Sequence, residues 1–186
     1  MIGNIVAGTL SAGAPPIAPN SYESIATVTV GSGGSTYLTF TSIPSTYKHL
    51  QLRMITSSVN GDTEGYIEYN GDYNSSNYQY HRLFGNGSAN SGGSGSGAYI
   101  FNGWGTGISN LFVAHVVDIL DYSNTSKIKP TKNLTGFSTN NASANNWIGM
   151  HSTLWKNTNA INEIRVRMNS NPFNQYTHAA LYGIKD

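Results

Sequence analysis

Leu111–Leu120 reads LFVAHVVDIL and is the most apolar run in the chain. Its length suits a short helix as well as a strand. Its β-branched and aromatic content favours the strand, because such side chains pack well on a pleated surface and lose rotamer freedom in a helix. A short run that is apolar on both faces predicts a buried, central strand. With that run read as a strand, no segment retains a convincing helical pattern.

The neighbouring sequence keeps a period of two. Ala26, Val28 and Val30 alternate with Thr27 and Thr29, Gly31–Gly34 supplies a turn, and Tyr37–Thr41 resumes the alternation, which predicts a hairpin. Pro44 ends that second strand, and Leu50, Leu52 and Met54 then share a face opposite Gln51 and Arg53. Two aromatic strands follow near Tyr66–Tyr69 and Tyr78–Phe84, joined through an Asn-Gly turn. Ser88–Gly97, SANSGGSGSG, has the composition of a surface loop. Ala98–Trp104, Asn133–Thr139 and Trp147–Trp155 are further strand candidates. Ile164, Val166 and Met168 alternate with Arg165 and Arg167, and Ala179–Ile184 reads as a last buried strand. About ten short strands with turn signals and no internal repeat predict an all-β fold. The expected architecture is an antiparallel β-sandwich of jelly-roll type, formed by residues 21–186 as one domain.

Residues 1–20 do not share this pattern. They are uncharged and rich in Ala, Gly and Pro. Pro15, Pro16 and Pro19 oppose ladder hydrogen bonds and favour an extended path. Ile2, Ile5, Val6, Leu10 and Ile17 offer apolar side chains to a neighbour. The segment is expected to be an extended docking arm, with Ile2, Ile5, Val6, Leu10, Pro15, Pro16 and Ile17 as its contact residues. Gly3, Asn4, Gly8, Thr9 and Ser11 interrupt its apolar character and no Lys or Arg precedes it, so a signal peptide is not expected.

Composition narrows the function. Of the 186 residues only 10% are charged, with a formal net charge of +1, against about 25% charged in ordinary soluble domains. The chain has no basic run to neutralise a row of phosphates, so nucleic acid is not an expected partner. No apolar run approaches the roughly 20 residues of a membrane span, so a membrane is not expected either. The chain has no cysteine, which excludes disulfides and thiolate metal sites.

Candidate chemistry is sparse. Asp62, Glu64, Glu68 and Asp72 cluster in sequence, and paired carboxylates can hydrolyse glycosides or bind calcium. Their setting among Asn-Gly-Asp turns favours a turn-forming role, and no EF-hand spacing is present. His49, His81, His115, His151 and His178 show no metal-ligand spacing. His115 and Asp118 point to opposite faces of a strand, which makes a dyad improbable and a hydrogen-bonded core histidine the better reading. GGSGSG lacks the strand–turn–helix setting of a nucleophile elbow. The five Asn-x-Ser/Thr triplets, at Asn74, Asn86, Asn124, Asn133 and Asn141, are expected from composition alone. No catalytic residue, metal or cofactor is expected. Tyr66, Tyr69, Tyr73, Tyr78, Tyr80 and Trp104, with Trp147 and Trp155, are the candidates for a sugar-stacking platform, and a sandwich core with amphipathic Tyr at a protein interface is the better reading.

YESIATVTVGSGGSTYLTFTSIPSTYKHLQLR at residues 22–53 and ALYGIKD at residues 180–186 together resemble a family of small virion-associated proteins of tailed bacteriophages, often from marine or cyanobacterial hosts. The shared pattern is an opening Ile-Ala-x-x-x-Val-Gly strand, a Phe-Thr-Ser-Ile-Pro corner, a Tyr-x-x-Leu strand and a Tyr-Gly-Ile terminus. It covers about residues 22–53 and 179–186 and leaves the middle of the chain unmatched. The resemblance implies a non-enzymatic structural protein located in the virion, decorating or cementing the capsid and docking through its N-terminal arm. Its implied partners are the major capsid protein, or tail proteins, and neighbouring copies of itself, for which a homotrimer suits a jelly roll on a quasi-symmetric lattice. A tail adaptor, nozzle or fibre-associated subunit is the alternative. A carbohydrate-binding module that recognises a host receptor is a further one.

Overall fold

LFVAHVVDIL is a strand in the interior of a sheet. The computed structural model describes residues 21–58, 64–101, 110–139 and 146–185, and residues 1–20 and Trp104 lie outside them. Val113–Ile119 forms β8, with Val113, His115, Val117 and Ile119 turned inward. In chain order the other strands are β1 (Tyr22–Thr29), β2 (Tyr37–Phe40), β3 (His49–Thr56), β4 (Gly65–Tyr69), β5 (Tyr78–Gly85), β6 (Asn90–Ser96) and β7 (Tyr99–Phe101). After β8 come β9 (Lys129–Phe137), β10 (Trp147–Trp155), β11 (Ile164–Met168) and β12 (His178–Ile184). The only helical element among the described residues is a single 3-10 turn at Ser75–Asn77.

The strands form two antiparallel sheets. One has the order β1-β12-β3-β8-β9-β10-β5-β6 and the other β2-β11-β4-β7. The topology becomes simple when the hairpins β5–β6 and β9–β10 are set aside. Of the eight remaining strands, the first pairs with the last (β1 with β12) and the second with the second-last (β2 with β11). The third pairs with the third-last (β3 with β8), and the middle two, β4 and β7, pair with each other. This is a long antiparallel ribbon rolled into the sheets β1-β12-β3-β8 and β2-β11-β4-β7, the topology of a jelly roll. The two extra hairpins join the free edge of β8 in the order β9, β10, β5, β6 and double the width of that sheet.

Inward-facing residues from the two sheets fill the space between them. Leu50, Leu52, Met54, Val117, Ile119 and Leu181 of the wide sheet meet Leu38, Phe40, Ile67, Ile164, Val166 and Met168 of the narrow one, all buried. Among the described residues this core runs from Val30 to Leu181, with Ile25, Ala26 and Val28 of β1 packed against it.

Three local expectations are corrected. Val28–Val30 and Tyr37–Phe40 do not form a hairpin, because β1 lies in the wide sheet and β2 in the narrow one; Gly31–Gly34 crosses between sheets, with Gly34 at φ +71°. Asn70 and Gly71 do turn the chain, both at positive φ, but β4 and β5 likewise end in different sheets. Ser88–Gly97 is not a loop over its whole length: Asn90–Ser96 is β6, the edge strand paired with β5. In the first two, local turn chemistry was legible while the sheet that each strand joins depends on partners far away in sequence.

Candidate docking face

β9 and the middle of β10 reverse the usual arrangement of a sandwich strand. On β9 the inward positions are Lys129, Thr131, Asn133 and Thr135, and on β10 they include His151 and Thr153. Leu134, Ile148 and Met150 point the other way, into solvent. A half-buried antiparallel strand normally turns apolar residues in and polar residues out.

The inward polar groups have work to do. β7 is the edge of the narrow sheet, and it lies against β9 and β10. Asn133 Nδ2 donates to the Ile100 carbonyl at 2.5 Å, and the Thr153 hydroxyl donates to the Tyr99 carbonyl. Side chains of the wide sheet thus satisfy backbone acceptors that an edge strand leaves open. His115 is a satisfied core histidine, as the sequence indicates: its ring nitrogens lie 2.8 Å from Thr56 Oγ1 and 2.7 Å from Thr135 Oγ1. Burial lowers its pKa to about 3. His151 is also buried, packed against Tyr99 and Trp147, yet neither ring nitrogen has a hydrogen-bond partner. Burial, helped by the Arg82 charge, lowers its pKa to about 4. Lys129 is buried as well, and its Nζ donates to the carbonyls of Asn124, Lys127 and Thr158.

The outward groups have no such partners. Cross-strand register aligns Leu83 of β5, Met150 of β10, Leu134 of β9 and Val116 of β8 in one row. The next row runs Gly85, Ile148, Gly136, Ala114 and Ile55. Leu83, Ile148 and Met150 are each about 60% exposed, and Leu134, Ile55 and Val116 remain substantially so. The glycines in the second row leave the surface uneven. One hollow of about 310 Å³ opens between Leu83, Ile148 and Met150, and another of about 250 Å³ between Val116, Leu134 and Ile148. The rims are polar. His81, Ser152, Lys132 and Asp118 form the row on one side, where Asp118 accepts from Gln51 Nε2 at 2.8 Å. Arg53, held over the rings of Tyr22 and Tyr182, closes the β3 end. A contiguous apolar area rimmed by polar residues marks an interaction surface.

The aromatic candidates do not converge on one platform. Tyr69 and Tyr78 are fully buried and pack with Trp155 at centroid distances of 5.6 and 6.5 Å, so they belong to the core and cannot stack on a sugar. Tyr66 and Tyr80 both pack on Tyr99. Tyr73 stands apart and exposed beside Arg165, whose guanidinium lies 4.8 Å from its ring and 4.5 Å from that of Tyr37. Trp147 and Trp155 are buried, and the arm residues Ile2, Ile5, Val6, Leu10, Pro15, Pro16 and Ile17 lie outside the described residues, as does Trp104.

The carboxylates are engaged structurally. Glu64 accepts from the Tyr66 hydroxyl at 2.7 Å, and Glu68 is paired with Arg167 Nε at 2.8 Å. Asp72 accepts from Asn77 and from the indole of Trp155, tying the 3-10 turn to β10. Asp62 lies outside the described residues. Asn133 is buried, consistent with its triplet being fortuitous. No family model matches the chain, and neither does any curated protein or solved structure.

Sequence reading missed the apolar face because Leu134, Ile148 and Met150 look like core residues. The available signal was the alternation itself: Thr131, Asn133 and Thr135 share a face opposite Leu134, so one of the two faces had to break the usual rule.

Proposed function

We propose that the protein is a non-enzymatic structural component of a tailed-phage virion, most simply a capsid decoration or cement protein. The observation that carries this reading is the exposed apolar face on the added hairpins. Six large apolar side chains on one side of a sheet are costly to leave in water, and association removes that cost. A nearly uncharged face also buries without desolvating ions. The jelly roll supports the assignment in a general way, since this topology recurs in viral shells, though it also recurs in lectins. The virion context itself comes from the resemblance at residues 22–53 and 179–186. The structural engagement of Glu64, Glu68 and Asp72 supports a role without chemistry.

Quantitative mass spectrometry of purified particles tests the reading. A copy number equal to, or a simple fraction of, that of the shell protein is expected. A count that fits a single ring transfers the protein to the tail, and absence from particles removes the virion reading. Leu134→Glu places a charge on the face without touching the core. It is expected to keep the thermal stability to within about 1 kcal/mol and to lower incorporation strongly.

A second reading has its own observation. Tyr37, Arg165 and Tyr73 form an exposed cation–π group on the outer side of the narrow sheet. Exposed aromatic rings beside a fixed guanidinium suit a sugar face and its hydroxyls. A glycan array with the parent and Tyr73→Ala separates this from simple surface packing.

A further inference from the structure

We propose that the apolar face receives the N-terminal segment of a second copy of this chain, so that copies are joined by exchanged arms. The inference rests on reading the face as an assembly surface, and it names the occupant. Residues 1–20 carry Ile2, Ile5, Val6, Leu10 and Ile17 and no charge. The face offers hollows of about 310 and 250 Å³ on either side of Leu134 and Ile148, with no charged residue among those that line them. Uncharged aliphatic side chains set among Ala and Gly match a surface of that kind.

The position of β1 favours a neighbour's segment over the chain's own. β1 is the edge strand at the opposite end of the wide sheet, with β12, β3 and β8 between it and β9. At about 4.8 Å per strand, Leu134 lies about 19 Å across the sheet from β1. Register puts Thr27 of β1 in the row of Leu134, through Val116, Arg53 and Ala180. Tyr22 is five residues further down the strand, about 17 Å at the usual rise. The chain enters β1 at Tyr22 heading toward that row. To reach its own face, residues 1–20 would have to reverse direction and cross the Tyr22–Arg53–Tyr182 group. Pro15, Pro16 and Pro19 favour a stiff, extended path through that point instead.

Complementation between two full-length variants tests the proposal by analytical ultracentrifugation. Leu134→Glu disables the face and keeps the arm, whereas the double variant Ile5→Asp, Leu10→Asp disables the arm and keeps the face. The parent is expected to self-associate in the micromolar range, and each variant alone to do so at least tenfold more weakly. The equimolar mixture is expected to regain a heterodimer, because one intact arm meets one intact face. A parent that stays monomeric throughout the micromolar range overturns the proposal. An arm variant that associates as well as the parent also overturns it, indicating face-to-face pairing. A mixture that remains monomeric overturns it too. These results are independent of particle incorporation, so arm exchange can fail while the virion reading stands, and the reverse.

Discussion

His151 is the residue whose environment is least expected from its chemistry. It is buried, its ring lies 5.4 Å from Tyr99 and 6.0 Å from Trp147, and both nitrogens lack partners. A buried polar group without a hydrogen bond is a cost, of about 1–3 kcal/mol by mutational measures. His151→Phe keeps a ring of similar size and removes that cost. The expected result is a higher urea midpoint at neutral pH, and a lower one would mean that the imidazole has a partner. The same residue makes stability depend on pH. Its folded pKa of about 4, and the value of about 3 for His115, lie below the ordinary histidine value. The unfolded chain therefore binds more protons below about pH 6.5, and stability falls as pH falls. The stabilising contribution is fully present above about pH 6.5 and is lost through about pH 4 for His151, then about pH 3 for His115. For His151 alone the loss is on the order of 3 kcal/mol. Urea midpoints measured from pH 7 to pH 4 are expected to drop, and to drop less in His151→Phe. A flat profile in the parent would contradict the burial argument.

At the scale of single elements, β6 and β10 sit two places apart in the same sheet and differ in every stabilising respect. β6 is built from Asn, Ser and Gly, is largely exposed and pairs only with β5 among the described residues. β10 is paired along its length on both sides, with β5 and β9, and buries Trp147 and Trp155. Glycine in a strand gives no side chain to pack and loses more backbone entropy on folding. Amide hydrogen exchange is expected to be fastest at β6 among the strands and slow at β10. Equal protection in the two would show that the β6 edge is covered. These elements also show what the sequence discloses. The bounds of β10 and β11 match the segments read as strands, Trp147–Trp155 and Ile164–Met168, the second of which alternates cleanly. β6 was not legible, because a strand made of Gly and Ser has no hydrophobic period; it is held by the ladder with β5. The hairpin expected at Gly31–Gly34 failed for the complementary reason: its turn residues are right, and only the distant partners β11 and β12 assign β1 and β2 to separate sheets.

For the whole molecule, the sandwich and its jelly-roll character followed from many short strands without helices, and the strand order bears this out. What local pattern alone did not assign is that the eight-strand ribbon carries two added hairpins with Leu83, Leu134, Ile148 and Met150 turned outward. Periodicity identifies two faces of a strand, and which one meets the core is decided by what packs against it. Here β7 packs against β9 and β10, and its open carbonyls draw Asn133 and Thr153 inward. Leu134, Ile148 and Met150 are left outside as a consequence. Of the aromatic candidates, Tyr69 and Tyr78 lie on the inner side and complete the core. In the proposed reading, function rests on the additions to a common scaffold.

Methionine oxidation tests directly whether the apolar face is the docking surface. Met150 is exposed at the centre of the face, while Met54 and Met168 are buried and serve as internal controls. Sulfoxide formation follows accessibility. In dilute, isolated protein, peroxide is expected to oxidise Met150 much faster than Met54 or Met168. In purified particles carrying the protein, Met150 is expected to become as slow as the two buried methionines. Unchanged fast oxidation of Met150 in the particles would show that the face stays open to water, and would contradict its role as the docking surface.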